Sequence, residues 1–216
     1  MRIDLKKERT QLYRPSTEFE EVEVPPLRYL AMDGHGDPNI EPAYAAAVQS
    51  LFTAGYAVRA VFRSRTGDDF VVGPLEGLWW SDDYAAFLAR DKARWSWTML
   101  IPLPDRVTGD DIAAGVAAAA EKKPDLPIGS VRPLTLEEGR SLQILHIGSY
   151  DDETPTLTRL HAELLPALGL TENGLHHEIY LGDPRRSAPE KLRTVLRQPV
   201  RPLDEGSRPR PTAVEE

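Results

Sequence analysis

Apolar and polar positions alternate along Leu175-His176-His177-Glu178-Ile179-Tyr180-Leu181, and Gly182-Asp183-Pro184 closes the run as a turn. This pattern predicts a strand, on which side chains two apart share a face. His176, Glu178 and Tyr180 then lie on one side. Leu175, His177, Ile179 and Leu181 lie on the other, which is mostly apolar and is expected to meet the core. A carboxylate in mid-strand is a poor strand former, and under cover it is costly unless paired. Glu178 therefore needs a reason to be there.

Residues 1–20 are polar, with Lys6, Lys7, Glu8 and Arg9, and read as a short helix or an extended arm. Val22 to Met32 has strand character broken by Pro25-Pro26, as at an edge or a bulge. Asp33-Gly34-His35-Gly36-Asp37-Pro38 is a turn cluster. Pro42 opens a helix where its missing N–H costs nothing. Tyr44, Val48, Leu51, Phe52, Gly55, Val58 and Phe62 recur at spacings of three and four, giving one apolar face over about five turns. Tyr56 lies beside that stripe, where it could look past the helix into a cavity. Phe70 to Trp80 and Arg94 to Pro102 read as strands. The polar loop between them holds Asp82, Asp83, Arg90, Asp91 and Lys92.

Thr108 and Asp111 resemble a capping box with Asp in place of Glu, opening an Ala-rich helix to about Lys123. Val131 to Leu136 and Leu142 to Ile147 are predicted to form a hairpin around Glu137-Glu138-Gly139. Pro155 opens a third helix with a face of Leu157, Leu160, His161, Leu164, Leu165 and Leu168, ended by Gly169. Pro166 inside it is expected to kink or shorten it. Leu192 to Val200 is the last strand. The order predicts an α+β fold of two pseudo-symmetric βαββ halves. In it an antiparallel sheet carries helices on one face and a ligand groove on the other. One domain is expected over residues 21–200, with an N-terminal arm over 1–20 and a disordered tail over 201–216.

Composition narrows the function classes. A net charge of -8 argues against a nucleic-acid partner, since phosphate contacts need a basic face. The absence of cysteine excludes a disulfide, a thiolate metal site and a cysteine nucleophile. The first 30 or so residues lack the apolar core of a signal peptide, and no run reaches the ~20 apolar residues of a membrane span. A cytoplasmic protein without a membrane partner is expected, as a monomer or a homodimer.

Trp79 and Trp80 are adjacent and point to opposite faces of a strand, whereas Trp95 and Trp97 share one. Each suits either the core or a groove edge. With Tyr56, Tyr180 and a central Glu178 they form the elements of a cage for a flat or cationic ligand. The histidines make no metal site: His176 and His177 face opposite ways, and His35, His146 and His161 lack ligand spacing. There is no phosphate-binding glycine loop and no Gly-x-Ser-x-Gly elbow, so no cofactor is implied. Glu137-Glu138 and Asp82-Asp83 read as solvated charge. Glu178 keeps two readings: paired with one of Arg185, Arg186, Arg193 or Arg197 on an exposed face, or placed in a pocket.

His176 to Arg186, with Ala188-Pro189-Glu190-Lys191-Leu192 and Leu196-Arg197-Gln198-Pro199-Val200, resembles the closing signature of the GyrI-like small-molecule-binding proteins. Asp33 to Asn39, Pro74 to Trp80 and Trp97-Thr98-Met99 extend the resemblance over nearly the whole chain except the tail. Gly182 stands where many relatives carry Ser. The resemblance implies two pseudo-symmetric halves with a ligand groove between them and Glu178 on the groove floor. Relatives include drug-sensing domains of transcription regulators, a gyrase-inhibitory protein and stand-alone binders of bulky aromatic compounds. One stand-alone branch hydrolyses cyclopropane-bearing DNA alkylators of the yatakemycin and CC-1065 type, and the Trp79-Trp80 block with Glu178 is most similar to that branch. The implied roles are Glu178 as the base that activates water and Tyr56 or Tyr180 as the donor to the substrate carbonyl. Trp79, Trp80 and Trp97 would hold the flat rings, with His176 beside the carboxylate. The alternative is a multidrug or lipophilic-cation binder without turnover, in which Glu178 is a counter-charge.

Overall fold

The computed structural model describes residues 1–81, 91–203 and 213–214. Asp82, Asp83 and Arg90 of the polar loop lie outside the described residues, as does most of the expected tail. The first half consists of β3 (Leu27–His35), helix α3 (Pro42–Thr66), β5 (Leu75–Trp80) and β6 (Ser96–Leu103). The second consists of β8 (Gly139–Ile147), helix α5 (Thr154–Thr158) with its continuation, β10 (His176–Tyr180) and β11 (Arg193–Pro202). Among the described residues the large sheet has ten strands, and it runs β3-β6-β5 and then β10-β11-β8 across its middle. The two βαββ halves thus meet edge to edge at β5 and β10, where Glu178 faces Gly77 and His176 faces Trp79.

The leading strand of each half crosses to the other. β2 (Glu20–Val24) enters β3 through Pro25-Pro26 but pairs with β8. β7 (Arg132–Leu136) enters β8 through Glu137-Glu138 but pairs with β3. The hairpin predicted around Glu137-Glu138-Gly139 therefore does not form. Two-residue links reach only roughly 10 Å, so they draw the two ends of the sheet together. The sheet curls into an open trough, antiparallel at every pairing in the large sheet.

Local signals act as the chain implied. Glu41 accepts from Ala43 N at the start of α3, Pro42 takes the first turn, and Gly67 ends it in the left-handed region at φ 73. Thr108 and Asp111 close a capping box at the start of α4 (Gly109–Lys122). By length and composition α3 could cross a membrane, but Leu51, Ala54, Val58 and Phe62 are buried in the core. α5 runs into a wide π turn over Arg159–Leu164 and one more α turn, Leu165–Ala167. Pro166 removes one donor and crowds the preceding carbonyl, and a π turn re-routes the bonds around it without breaking the helix.

The first residues pack on the body. β1 (Arg2–Ile3) pairs in parallel with β4 (Asp69–Phe70), and Leu5 of α1 (Leu5–Glu8) is buried. Leu12 and Tyr13 of α2 (Thr10–Tyr13) are buried too. β9 (Leu170–Glu172) pairs with β11, and β12 (Ala213–Val214) runs along β7.

Inside the trough lies a closed set of charges. Fully buried His177 places Nδ1 3.0 Å from Glu138 Oε1 and Nε2 3.0 Å from Glu76 Oε2. Arg197 donates from Nη1 to Glu138 Oε2 at 3.1 Å and from Nη2 to the Leu12 carbonyl at 2.7 Å. Tyr13 donates to Glu76 Oε1 at 3.0 Å. Glu138 is thus not the solvated charge expected of it, and Arg197 is not a partner for Glu178. Two carboxylates and two cations balance, which is how buried charge becomes tolerable. Burial works to lower the His177 pKa, but Glu138 and Glu76 outweigh it and carry it up to about 9. Burial works to raise Glu138, but His177 and Arg197 outweigh it and hold it near about 2.

Glu138→Gln or Arg197→Met strands a buried charge and should cost roughly 3–5 kcal/mol in urea unfolding. An unfolded histidine titrates near ~6.5, so His177 contributes fully below that pH and its contribution is lost as pH rises through about 9. The unfolding free energy should therefore fall between these two values, and a level profile there would contradict a charged His177. Glu138 acts in the opposite direction: its contribution holds above the ordinary glutamate range and is lost as pH falls towards about 2.

Candidate functional site

β10 has two working faces. His177 and Ile179 enter the trough, while Glu178 and Tyr180 line a groove of about 1640 Å³. The groove opens between α3 and α5, over the junction of β5 and β10. It does not lie on the face opposite the helices, as expected. That opposite face is the trough, filled by the charge network and closed by Leu12 and Tyr13. α3 divides its apolar stripe accordingly: Leu51, Val58 and Phe62 enter the core, and Tyr44, Val48 and Phe52 line the groove.

Glu178 is 12% exposed at its side chain, and its two oxygens differ. Oε2 accepts from the Tyr180 hydroxyl at 2.7 Å, and that hydroxyl accepts from Trp79 Nε1 at 2.9 Å. Oε1 lies 3.6 Å from His176 Nε2 and accepts no hydrogen bond from the described residues. Gly77, opposite Glu178, leaves room for the indole: a Cβ there would stand 2.8 Å from Trp79 Nε1. Trp79 meets Trp95 edge to face at 5.7 Å, and Tyr150 meets Tyr180 at 5.5 Å. Burial, then the charge of Glu178, push the Tyr44 and Tyr180 phenols well above their ordinary range. Burial, then Glu153 and Glu178, push Tyr150 up to about 12. All three phenols therefore stay protonated at neutral pH and remain donors.

The predicted site residues separate into groups. Glu178, Tyr180 and Trp79 come together. Tyr56 lines the groove but is 56% exposed. Among the described residues the lining takes in Trp79 and Trp95 but neither Trp80 nor Trp97. Trp97 is buried behind the wall, edge-on to Tyr44 at 5.3 Å. It lies against Gly34, where a Cβ would stand only 2.0 Å from its ring. His176 is buried beside Glu178 and outside the lining. Arg185 pairs with Asp183 at 3.0 Å, and neither Arg186 nor Arg193 makes an ion pair with Glu178 among the described residues. The surface-pairing reading of Glu178 is not what the structure holds. Among the described residues, no group of three or more His, Asp or Glu could hold a metal ion.

Trp95, one of the tryptophans expected to form the cage, lines the groove, and so do Tyr44, Tyr150 and Glu153, which the sequence does not single out for the site. The run Tyr44-Val48-Phe52-Tyr56 at a spacing of four could have shown Tyr44. Trp95 precedes β6 in a short turn, and Tyr150 and Glu153 sit in another, Tyr150–Glu153, where no periodicity operates.

Solved structures from Listeria innocua are similar over most of the chain. One, of an uncharacterized conserved protein, is 38% identical with a TM-score of 0.84, covering 92% of this chain and 100% of that one. Another, described as a hydrolase, is 36% identical with a TM-score of 0.81, covering 93% and 100%. The EcmrR C-terminal domain, 11% identical with a TM-score of 0.56 over 86% and 98%, shares the fold. A search of curated proteins found no match. The model of the GyrI-like small molecule binding domain matches residues 17–201, and by that extent and these identities the chain belongs to the GyrI-like small-molecule-binding family.

Proposed function

We propose that the protein binds flat aromatic compounds in the groove and hydrolyses cyclopropanoid DNA-alkylating agents, a detoxification or resistance role in the cytoplasm. The observation that carries this reading is Glu178. It is a carboxylate in an aromatic groove, with one oxygen held by Tyr180 and the other without a hydrogen bond from the described residues. Two relatives at 36% identity that are described as hydrolases support turnover.

The substrate is a cyclopropane fused to a dienone. Glu178 Oε1 takes a proton from water while the water oxygen bonds to the cyclopropane methylene. The strained C–C bond breaks, and its electron pair moves through the dienone to the carbonyl oxygen, giving a phenolate. A proton then completes the phenol, so the net change is addition of one water. Tyr180 spends its proton on Glu178 and acts by holding that carboxylate. Tyr44 and Tyr150, protonated and close enough to feel the charge of Glu178, are suited to meet the developing phenolate. Trp79 and Trp95 supply the flat walls.

A second reading rests on the same carboxylate among aromatic faces, with no Lys or Arg paired to it among the described residues. A lipophilic cation would be favoured there by both features. The two readings part on one variant. Mass spectrometry of the wild type with a cyclopropanoid alkylator should reveal a product heavier by one water, and Glu178→Gln should form it at least ~100-fold more slowly. The variant should still bind neutral aromatic ligands. Absence of product above the protein-free rate across several such compounds would sink the hydrolase reading. Under the cation reading, Glu178→Gln should lose about tenfold or more in affinity for a lipophilic cation, or ~1.4 kcal/mol, measured by calorimetry.

A further inference from the structure

His176 shares a strand face with Glu178 but does not line the groove. It is 4% exposed, and among the described residues neither Nδ1 nor Nε2 has a hydrogen-bond partner. A buried imidazole with both nitrogens idle calls for an explanation, since buried polar groups are otherwise bonded. Its Nε2 lies 3.6 Å from Glu178 Oε1, beyond hydrogen-bond reach. Oε1 is the oxygen that Tyr180 leaves open. With the imidazole proton on Nδ1, Nε2 presents a lone pair to an ionised oxygen, so two acceptors face each other. One proton placed between them converts the contact into an O–H to N hydrogen bond.

We propose that His176 is the proton-holding partner of Glu178, a positioning residue that acts through the carboxylate and never touches the ligand. This inference rests on the hydrolytic reading. In the resting groove Oε1 is ionised and Nε2 is an acceptor. When water attacks the cyclopropane methylene, its proton goes to Oε1 and is at once held by Nε2. The bond so formed draws the carboxyl towards His176 and stops the proton from returning to the new hydroxyl. The phenolate then claims that proton, Oε1 is again ionised, and the pair reopens. Charge and atoms balance without any further reactant. Trp79 stands opposite His176 on β5, and its own N–H is committed to Tyr180, so it does not compete for Nε2.

The test compares His176→Phe with the wild type in the full chain, using a spirocyclopropyl cyclohexadienone as substrate. The expected result is a fall in kcat of at least about tenfold with KM within about twofold, because the residue does not meet the ligand. In a Glu178→Gln background the same change should cause no further loss. A rise in KM with kcat unchanged would overturn the proposal, as would an equal loss in both backgrounds. Imidazole nitrogen NMR of ligand-free protein gives a readout that needs no turnover. The Nε2 resonance of His176 should move on Glu178→Gln, whose amide can donate to it, and an unmoved resonance would overturn the pairing. Wild type that hydrolyses nothing sinks the hydrolytic reading, and with it the proton-holding step, whatever the resonance does. Wild-type turnover retained in His176→Phe sinks this inference alone.

Discussion

The structure depends on one buried exchange of charge, His177 held between Glu76 and Glu138, with Arg197 closing the set. Each member comes from a different part of the chain. Glu76 is on β5, His177 on β10, Arg197 on β11, and Glu138 in the link before β8. Their mutual bonds tie the first half to the second and tie both to the N-terminal segment through Tyr13 and Leu12. Removing any one charge leaves the others buried and unbalanced, and that is the source of the cost. The same bonds explain why Glu137-Glu138 is a crossing link and not a hairpin tip. Its second carboxylate turns inward, and the strands it joins pair with different neighbours.

β10 converts that constraint into a site. Neighbouring residues on a strand face opposite ways, so anchoring His177 in the trough forces His176 and Glu178 into the groove-side layer. A slip of one residue would put Glu178 among the buried charges and His177 among the tryptophans. The buried network therefore sets the register of the groove. The wall is shaped by what is absent at two positions: Gly77 admits the Trp79 indole, and Gly34 admits the Trp97 ring that backs Tyr44.

The groove joins the two halves without belonging to either. β10 brings the carboxylate and its tyrosine, with His176 buried behind them, β5 brings Trp79, and α3 brings Tyr44. The turn before α5 brings Tyr150 and Glu153. Pseudo-symmetry places the two helices as opposite banks, and the charge that distinguishes the floor lies in the second half alone.

Much of this was legible in the sequence because short-range physics decides it. Alternation placed His176, Glu178 and Tyr180 on one face, Pro42 and the spacing of three and four marked α3, and Thr108 with Asp111 marked the start of α4. The family followed from blocks such as His176 to Arg186. Pairing was beyond local rules. Nothing in Val131 to Ile147 tells that β7 leaves β8 for β3, since that choice depends on charges 39 or more positions apart finding each other, as Glu138 and His177 do. Nor could alternation tell which face of the sheet the helices would flank, because both faces of β10 carry a histidine and an apolar or aromatic neighbour. The sequence by itself determined the elements, the facing of Glu178 and the family. Only the tertiary structure decided that the groove shares the helices' side, that Glu138 and Arg197 are core residues, and that Tyr44 and Tyr150 line the groove along with Tyr56, since each depends on contacts between distant segments.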